Sequence, residues 1–419
     1  MVFPASVRSE VLESVKIFAL KKLFCRFLLL LVLAALAVLF WPGHYYVRQA
    51  LVHQLPKIDQ YPIFENRVVK AGDPAPLPYA PGVNERKVAP RFEEDFARYG
   101  TVAFVVLKNG QVWAEQYWED YSDTSHSNSF SMAKSIVSLL VGCAIQDGYI
   151  RSVDQPVGDF LPEWGAFEGD TLTVRDLLTM SAGVEWDESS SSLFSTTTEA
   201  YYGKDLWGLA QREVLIEKPG IYFNYQSGVT QILAFVLKKA TGKDIADYAS
   251  EKIWTPIQAE EDALWSLDHE GGMEKAYCCF NSNARDFARL GQLVLQHGYW
   301  YPQGGHVTAT RVRVVDSAYI AEATTPATYL KARLEDGREV PCTMYGYQFW
   351  MLDYKGLDVT YFRGILGQYI FVIPALDAVV VRLGHERADA YNIDQDYPLD
   401  IDIWLEAALD LLVDSAPSF

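Results

Sequence analysis

Strand-like runs flank a largely helical middle in this chain, and that order admits few folds. Residues 101–107 and 112–118 are apolar and β-branched. Lys108-Asn109-Gly110-Gln111 lies between them, and Asn-Gly is the strongest short signal for a β-hairpin. Towards the other end, residues 345–352, 368–373 and 378–383 have the same character, with 374–377 turning between the last two. The stretches between follow a helical period. Residues 131–146 are apolar on most faces, 174–180 form a shorter helix, and 229–240 are closed by Thr241-Gly242. Residues 283–297 start at Asn283 and stop at Gly298, and 401–413 supply a last helix. Residues 185–198, acidic and rich in serine, read as a loop. The expected class is α+β: an antiparallel sheet built from N- and C-terminal strands, flanked by helices, with a mostly helical lobe inserted.

Residues 27–41 are an unbroken run of fifteen apolar residues. Arg8, Lys16, Lys21, Lys22 and Arg26 precede it; Trp41, Tyr45 and Tyr46 follow, where amphipathic aromatics sit at a lipid–water boundary. Fifteen is below the roughly 18–20 residues of a span. Leu23, Phe24 and Cys25 extend the run if Arg26 reaches back to the interface. A cleaved signal peptide, leaving at Ala35-Leu36-Ala37, and a buried core helix compete with an uncleaved anchor. Continuation through Phe40 and Trp41 favours the anchor. On that reading, 1–26 is a cytoplasmic basic segment and 27–46 crosses the inner-membrane bilayer once. The Pro-rich 47–95 is then a stalk, and 96–415 is a periplasmic or extracellular domain.

The formal charge of −18 makes the chain repel a phosphate backbone, which excludes nucleic acid as a partner. Five cysteines, with Cys278 and Cys279 adjacent, imply no disulfide framework. Neither C-x-x-C nor H-E-x-x-H occurs, so no metal site and no cofactor is expected.

Ser131-Met132-Ala133-Lys134 is the stretch richest in chemistry. A serine in the first turn of a buried helix lies beside unpaired backbone N–H groups, where the helix dipole favours an oxyanion. Lys134, three residues on, shares its face. A lysine in a dry, positively biased site loses its proton more easily, and a neutral amine beside a hydroxyl is a base beside a nucleophile. The plainer alternative makes Ser131 an N-cap and Lys134 a solvated first-turn residue. Downstream, Pro219-Gly220 and Asn224 place Tyr225-Gln226-Ser227 on a turn, where a phenol can face a cleft and shuttle protons or simply pack on the surface.

With these residues in this order, the chain resembles the class C serine β-lactamases and their relatives, the penicillin-binding DD-peptidases, esterases and 6-aminohexanoate-dimer hydrolases. That family carries Ser-x-x-Lys at a helix start and Tyr-x-Asn or Tyr-x-Ser later. Leu177-Leu178-Thr179-Met180-Ser181-Ala182-Gly183, Phe223-Asn224-Tyr225-Gln226-Ser227-Gly228 and Asn283-Ala284-Arg285-Asp286-Phe287-Ala288-Arg289-Leu290-Gly291 match its other segments in order, over roughly residues 95–410. The likeness is strongest to the 6-aminohexanoate-dimer hydrolase and esterase branch. It implies a β-lactamase/transpeptidase-like fold and a serine hydrolase that cleaves a small amide or ester through an acyl-enzyme, with Ser131, Lys134 and Tyr225 catalytic.

The family's third motif, Lys or His followed by a small residue and Gly on an edge strand, has no such side chain here. Arg363-Gly364-Ile365-Leu366-Gly367 stands in its place. The resemblance assigns oxyanion and substrate binding to Ser131, Ser227, Arg363, Gly364, Ile365 and Gly367; main-chain donors do not depend on side-chain identity. Arg363 either supplies the missing charge or lies on the surface. Trp186, Asp187 and Tyr202 either line the cleft or pack a lid. Three rival readings remain: a non-catalytic membrane-tethered binding protein with the penicillin-recognition fold, a DD-peptidase acting on peptidoglycan, and an α/β-hydrolase. The last rests on Thr179-Met180-Ser181-Ala182-Gly183, which lacks the first Gly of G-x-S-x-G and follows a helical pattern.

Overall fold

The computed structural model describes residues 5–413, apart from 165, 168, 190–191, 303–310 and 334–336. Residues 1–4 of the expected basic segment, 190–191 of the expected loop and 414–415 of the expected domain lie outside the described residues.

Six strands form the main sheet: β1 (Thr101–Lys108), β2 (Gln111–Tyr117), β3 (Trp350–Tyr354), β4 (Leu357–Gly364), β5 (Gln368–Ile373) and β6 (Ala378–Gly384). Their order is β3-β4-β5-β6-β1-β2, antiparallel throughout. The β1–β2 turn places Asn109 at φ 52° and Gly110 at φ 71°, the left-handed pair that a tight right-twisted hairpin requires. The two ends of the chain meet where β6 pairs with β1, with Val380 opposite Val106. Helix Ala284–Leu295 packs on β1, β5 and β6. Helix Asp400–Val413 brings Trp404 edge-on against Phe96 at 4.9 Å.

Arg382 on β6 fastens this junction. Its fully buried guanidinium donates to the carbonyls of Tyr99 (2.6 Å), Gly367 (2.8 Å) and Leu366 (3.1 Å) and to Thr101 Oγ1 (3.0 Å). Burial pushes its pKa down to about 10.

Two strand expectations differ from the structure. Residues 345–349 are not in a strand: Gln348 turns left-handed at φ 63°, and β3 begins at Trp350. Strand β4 was not expected at all, yet it carries Arg363 and Gly364.

The N-terminal helices correct the membrane reading. Among the described residues, no helix is long and apolar enough to cross a membrane. Helix α1 (Ala5–Leu39) holds Lys16, Lys21, Lys22 and Arg26 within it. From residue 27 to its end it rises only about 20 Å, at ~1.5 Å per residue, against a hydrocarbon core of roughly 30 Å. Its apolar side chains from Phe27 to Leu33 are exposed. The residues that were to complete the span belong instead to a turn, Pro42–His44, and to α2 (Tyr45–His53), which buries Tyr46, Val47 and Ala50. The single pass through 27–46, the bilayer contact and the inner-membrane placement with a periplasmic or extracellular domain are therefore set aside.

Residues 47–95, read as a stalk, are built into the folded unit. Strand Asn66–Val69 pairs with Ala263–Ser266 in a second, four-stranded sheet. Pro78 accepts the N–H of Val112 at 2.8 Å, and the Gln54 carbonyl accepts the Tyr202 hydroxyl at 2.7 Å. A disulfide that the cysteine count did not suggest joins the neighbours Cys278 and Cys279. Cys25, Cys143 and Cys342 are free thiols.

Candidate active site

Residues Ser127–Asn128 pair with Phe280–Ser282, and the Ser129 N–H is held by the Phe280 carbonyl at 2.8 Å. Phe130 then takes a left-handed φ of 44°, sparsely populated for a bulky residue and typical of strained functional turns. That turn delivers Ser131 to the start of α3 (Met132–Gln146), a helix buried along nearly its whole length. The Ser131 side chain makes no capping bond, so the N-cap alternative is not the role it plays.

Lys134, 1 % exposed, turns back along the helix face to meet it. Its Nζ lies 2.8 Å from Ser131 Oγ, 3.0 Å from the Tyr277 carbonyl oxygen and 3.2 Å from Ser227 Oγ. The same nitrogen lies 4.9 Å from the centroid of the Tyr225 ring. Folding thus brings Tyr225, far along the chain, beside the serine and lysine that share a helix face.

Tyr225 is positioned from below. The Asn224 N–H is held by the Met180 carbonyl at 2.7 Å and the Gly220 N–H by the Ser181 carbonyl at 2.9 Å. Gly183, at φ 71°, lets the segment close up: a Cβ there would stand 2.3 Å from the Glu217 carbonyl oxygen. The Tyr225 ring lies edge-on to Tyr345 and tilted on Trp350, 5.2 Å between the latter centroids. Ser181, the serine of the α/β-hydrolase reading, is buried and bonded to Thr179 Oγ1 at 2.9 Å; it does not reach the cleft.

Ser131 opens into a cavity of about 410 Å³, walled by aromatic rings including Tyr201, Tyr202, Tyr277 and Tyr391. That volume suits a small organic substrate. Ser227, Arg363, Gly364 and Ile365 line it; Gly367 does not, and packs against Arg382 instead. Arg363 is not a surface residue. Its side chain is 11 % exposed, stacks 3.3 Å from the Trp350 centroid and donates to the Asp396 carbonyl at 2.6 Å. Arg387 adds a second cation to that end of the cavity. Of the three expected pocket residues, Tyr202 lines the cavity. Trp186 lies behind it, donating to Thr197 Oγ1 at 2.9 Å, and Asp187 is exposed outside the lining, its Oδ1 accepting the Ser189 N–H at 3.0 Å.

Two participants were missed. Tyr277 contributes a main-chain carbonyl, which no side-chain motif records. Glu188 sits in the acidic loop and accepts both the Ser227 hydroxyl at 2.6 Å and the Ser227 N–H at 2.7 Å. Its one trace in the sequence was a carboxylate close to Trp186 and Asp187. Behind the aromatic wall, Lys275 is fully buried, donating to the Ala200 carbonyl at 3.0 Å, and burial pushes its pKa down to about 8. Among the described residues, no group of three or more His, Cys, Asp or Glu is placed to hold a metal ion.

This constellation on this sheet is that of a serine hydrolase. Residues 89–397 match the family described as Beta-lactamase, and the chain belongs to that family. It is 27 % identical over 304 residues to the 6-aminohexanoate-dimer hydrolase of Paenarthrobacter ureafaciens, covering 70 % of this chain and 75 % of that one. Among solved structures it is similar to a putative 6-aminohexanoate-dimer hydrolase from Bacillus anthracis (TM-score 0.68, 20 % identity, 86 % of this chain and 94 % of that one). A family VIII carboxylesterase aligns with a TM-score of 0.59 at 17 % identity, over 80 % of this chain and 98 % of the other.

Proposed function

We propose that the chain hydrolyses a small amide or ester through a covalent acyl-enzyme, with Ser131 as nucleophile, Lys134 as its base and Tyr225 as the proton relay. The observation that carries this reading is the 2.8 Å contact between Lys134 Nζ and Ser131 Oγ at a lysine 1 % exposed. As the base, Lys134 Nζ takes the hydroxyl proton as Oγ bonds to the substrate carbonyl carbon. The oxyanion forms beside the backbone N–H groups of Ser131, at the positive end of α3, and of Ile365 across the cavity. Collapse of the tetrahedral species breaks the bond to the leaving nitrogen or oxygen, which receives the proton from Lys134 through Tyr225. Water then attacks the acyl-enzyme, returns its proton by the same path and releases the acid.

The intact trio supports turnover over a binding role alone. The relatives named for a linear amide dimer and for carboxylic esters define the first substrates to try. Purified protein is assayed with nitrophenyl acetate, nitrophenyl butyrate, a linear 6-aminohexanoate dimer and nitrocefin, and labelled with a fluorophosphonate. Ser131→Ala should abolish turnover and labelling; full activity in that variant overturns the assignment.

A further inference from the structure

Lys134 as base poses a problem of direction. A neutral amine has two N–H donors and one lone pair, and three oxygens surround it: Ser131 Oγ, Ser227 Oγ and the Tyr277 carbonyl. Catalysis needs the lone pair aimed at Ser131. The Tyr277 carbonyl only accepts, so it always takes one N–H. Ser227 is a hydroxyl and can donate or accept. If it donated, it would occupy the lone pair, and Lys134 would be a base towards the wrong serine.

Glu188 removes that freedom. Its Oε1 lies 2.6 Å from Ser227 Oγ and its Oε2 lies 2.7 Å from Ser227 N. A carboxylate only accepts, so the Ser227 proton points to Glu188 and its lone pair faces Lys134. Both amine N–H groups then have obligate acceptors, and of these three oxygens Ser131 Oγ is the donor left for the lone pair. The carboxylate is itself steadied, with Thr197 Oγ1 donating to Oε2 at 3.4 Å while Trp186 Nε1 donates to that threonine at 2.9 Å.

We infer that Glu188 is a positioning residue that fixes the hydroxyl direction of Ser227 and thereby aims the lone pair of Lys134 at Ser131. The inference rests on Lys134 being the base. It also gives Trp186 a function: from behind the cavity wall it holds Thr197, which steadies the group that orders the proton donors.

The test is E188Q, nearly the same shape but carrying an N–H₂ group. If its oxygen takes the Ser227 N–H, its N–H₂ claims the hydroxyl's lone pair and turns the hydroxyl proton towards Lys134. On nitrophenyl butyrate, kcat should fall by about tenfold or more with KM within about twofold, the signature of a lost transition-state interaction. The rate of fluorophosphonate labelling should fall in parallel. The double variant E188Q/S227N should recover most of the loss. The introduced asparagine carbonyl accepts from Lys134 in one orientation only, and its N–H₂ can meet the oxygen of the introduced glutamine amide. A general loosening of the loop would not be rescued this way. With Lys134→Ala inactive, unchanged kcat in E188Q, or a double variant no better than the single one, overturns the role of Glu188 alone. Activity retained in Lys134→Ala overturns the reading beneath it.

Discussion

Gly364 lies directly against Ser129: a Cβ at position 364 would stand 2.3 Å from the Ser129 carbonyl oxygen. The contact pins the end of β4, with Arg363 and Ile365 beside it, to the turn that presents Ser131. Gly364→Ala must push the two apart. A misplacement of about 1 Å in a catalytic array costs on the order of a hundredfold in rate. We expect that loss in kcat/KM on nitrophenyl butyrate, with the protein still folded by circular dichroism. Wild-type kinetics in the alanine variant would show that the spacing does not matter.

Arg363 turns its flat face to Trp350 and its edge towards Asp396, at one end of the cavity. Guanidinium is suited to both stacking and carboxylate recognition, and lysine replaces neither. Arg363→Met should raise KM about tenfold for an ester whose acyl part ends in a carboxylate, the ~1.4 kcal/mol of one charged contact. Its neutral methyl counterpart should be affected far less. Equal losses for the two esters would assign Arg363 to packing.

Lys275 supplies a pH signature. In the folded protein, burial holds its pKa at about 8, below the ordinary 10.5. Below about pH 8, folding must bury an ammonium, which costs up to about 3 kcal/mol at ~1.36 kcal/mol per unit. Between pH 8 and 10.5 the unfolded chain binds the extra proton, so stability rises with pH through this window and the cost fades. Urea melts should therefore show the wild type gaining on Lys275→Met from about pH 8 to 10.5. A difference that is flat across this range excludes Lys275 as its source.

The Cys278–Cys279 disulfide lies between two residues whose carbonyls hold the candidate site. Tyr277 before it holds Lys134 through its carbonyl, and Phe280 after it holds Ser129. Reduction by an excess of a dithiol should free this backbone and lower kcat severalfold, reversibly on reoxidation. The variant Cys278→Ser/Cys279→Ser should show the lowered rate with or without the dithiol. Indifference of the wild type to complete reduction, verified by thiol titration, would separate the disulfide from the site.

The legible parts of this protein were those governed by local rules. Asn109-Gly110 announced its hairpin because few residues tolerate two left-handed positions. Ser131 and Lys134 were legible because a helix puts residues three apart on one face. Tyr225 gained meaning from its place in an ordered set of segments. Glu188 follows no period and lies on an irregular loop; its role depends on Ser227, which folding brings to it. The carbonyl of Tyr277 has no side-chain signature at all. Residues 345–349 have strand-like composition, but Gln348 turns left-handed. The run from 27 to 41 misleads because hydropathy along a line does not show where a helix ends. Nor does it show that Tyr46, Val47 and Ala50 pack onto a domain.

The junction of β6 with β1 also sets a timetable for synthesis. Arg382 and the Thr101 it grips are 281 residues apart. At roughly 5–20 residues per second, the first hairpin leaves the ribosome about 15–55 s before its partner strand exists. Through that interval an apolar strand has one open edge, the feature that recruits unwanted β-pairing. A cell making this hydrolase must shield that edge, so its yield should depend on chaperone supply more than its final stability suggests.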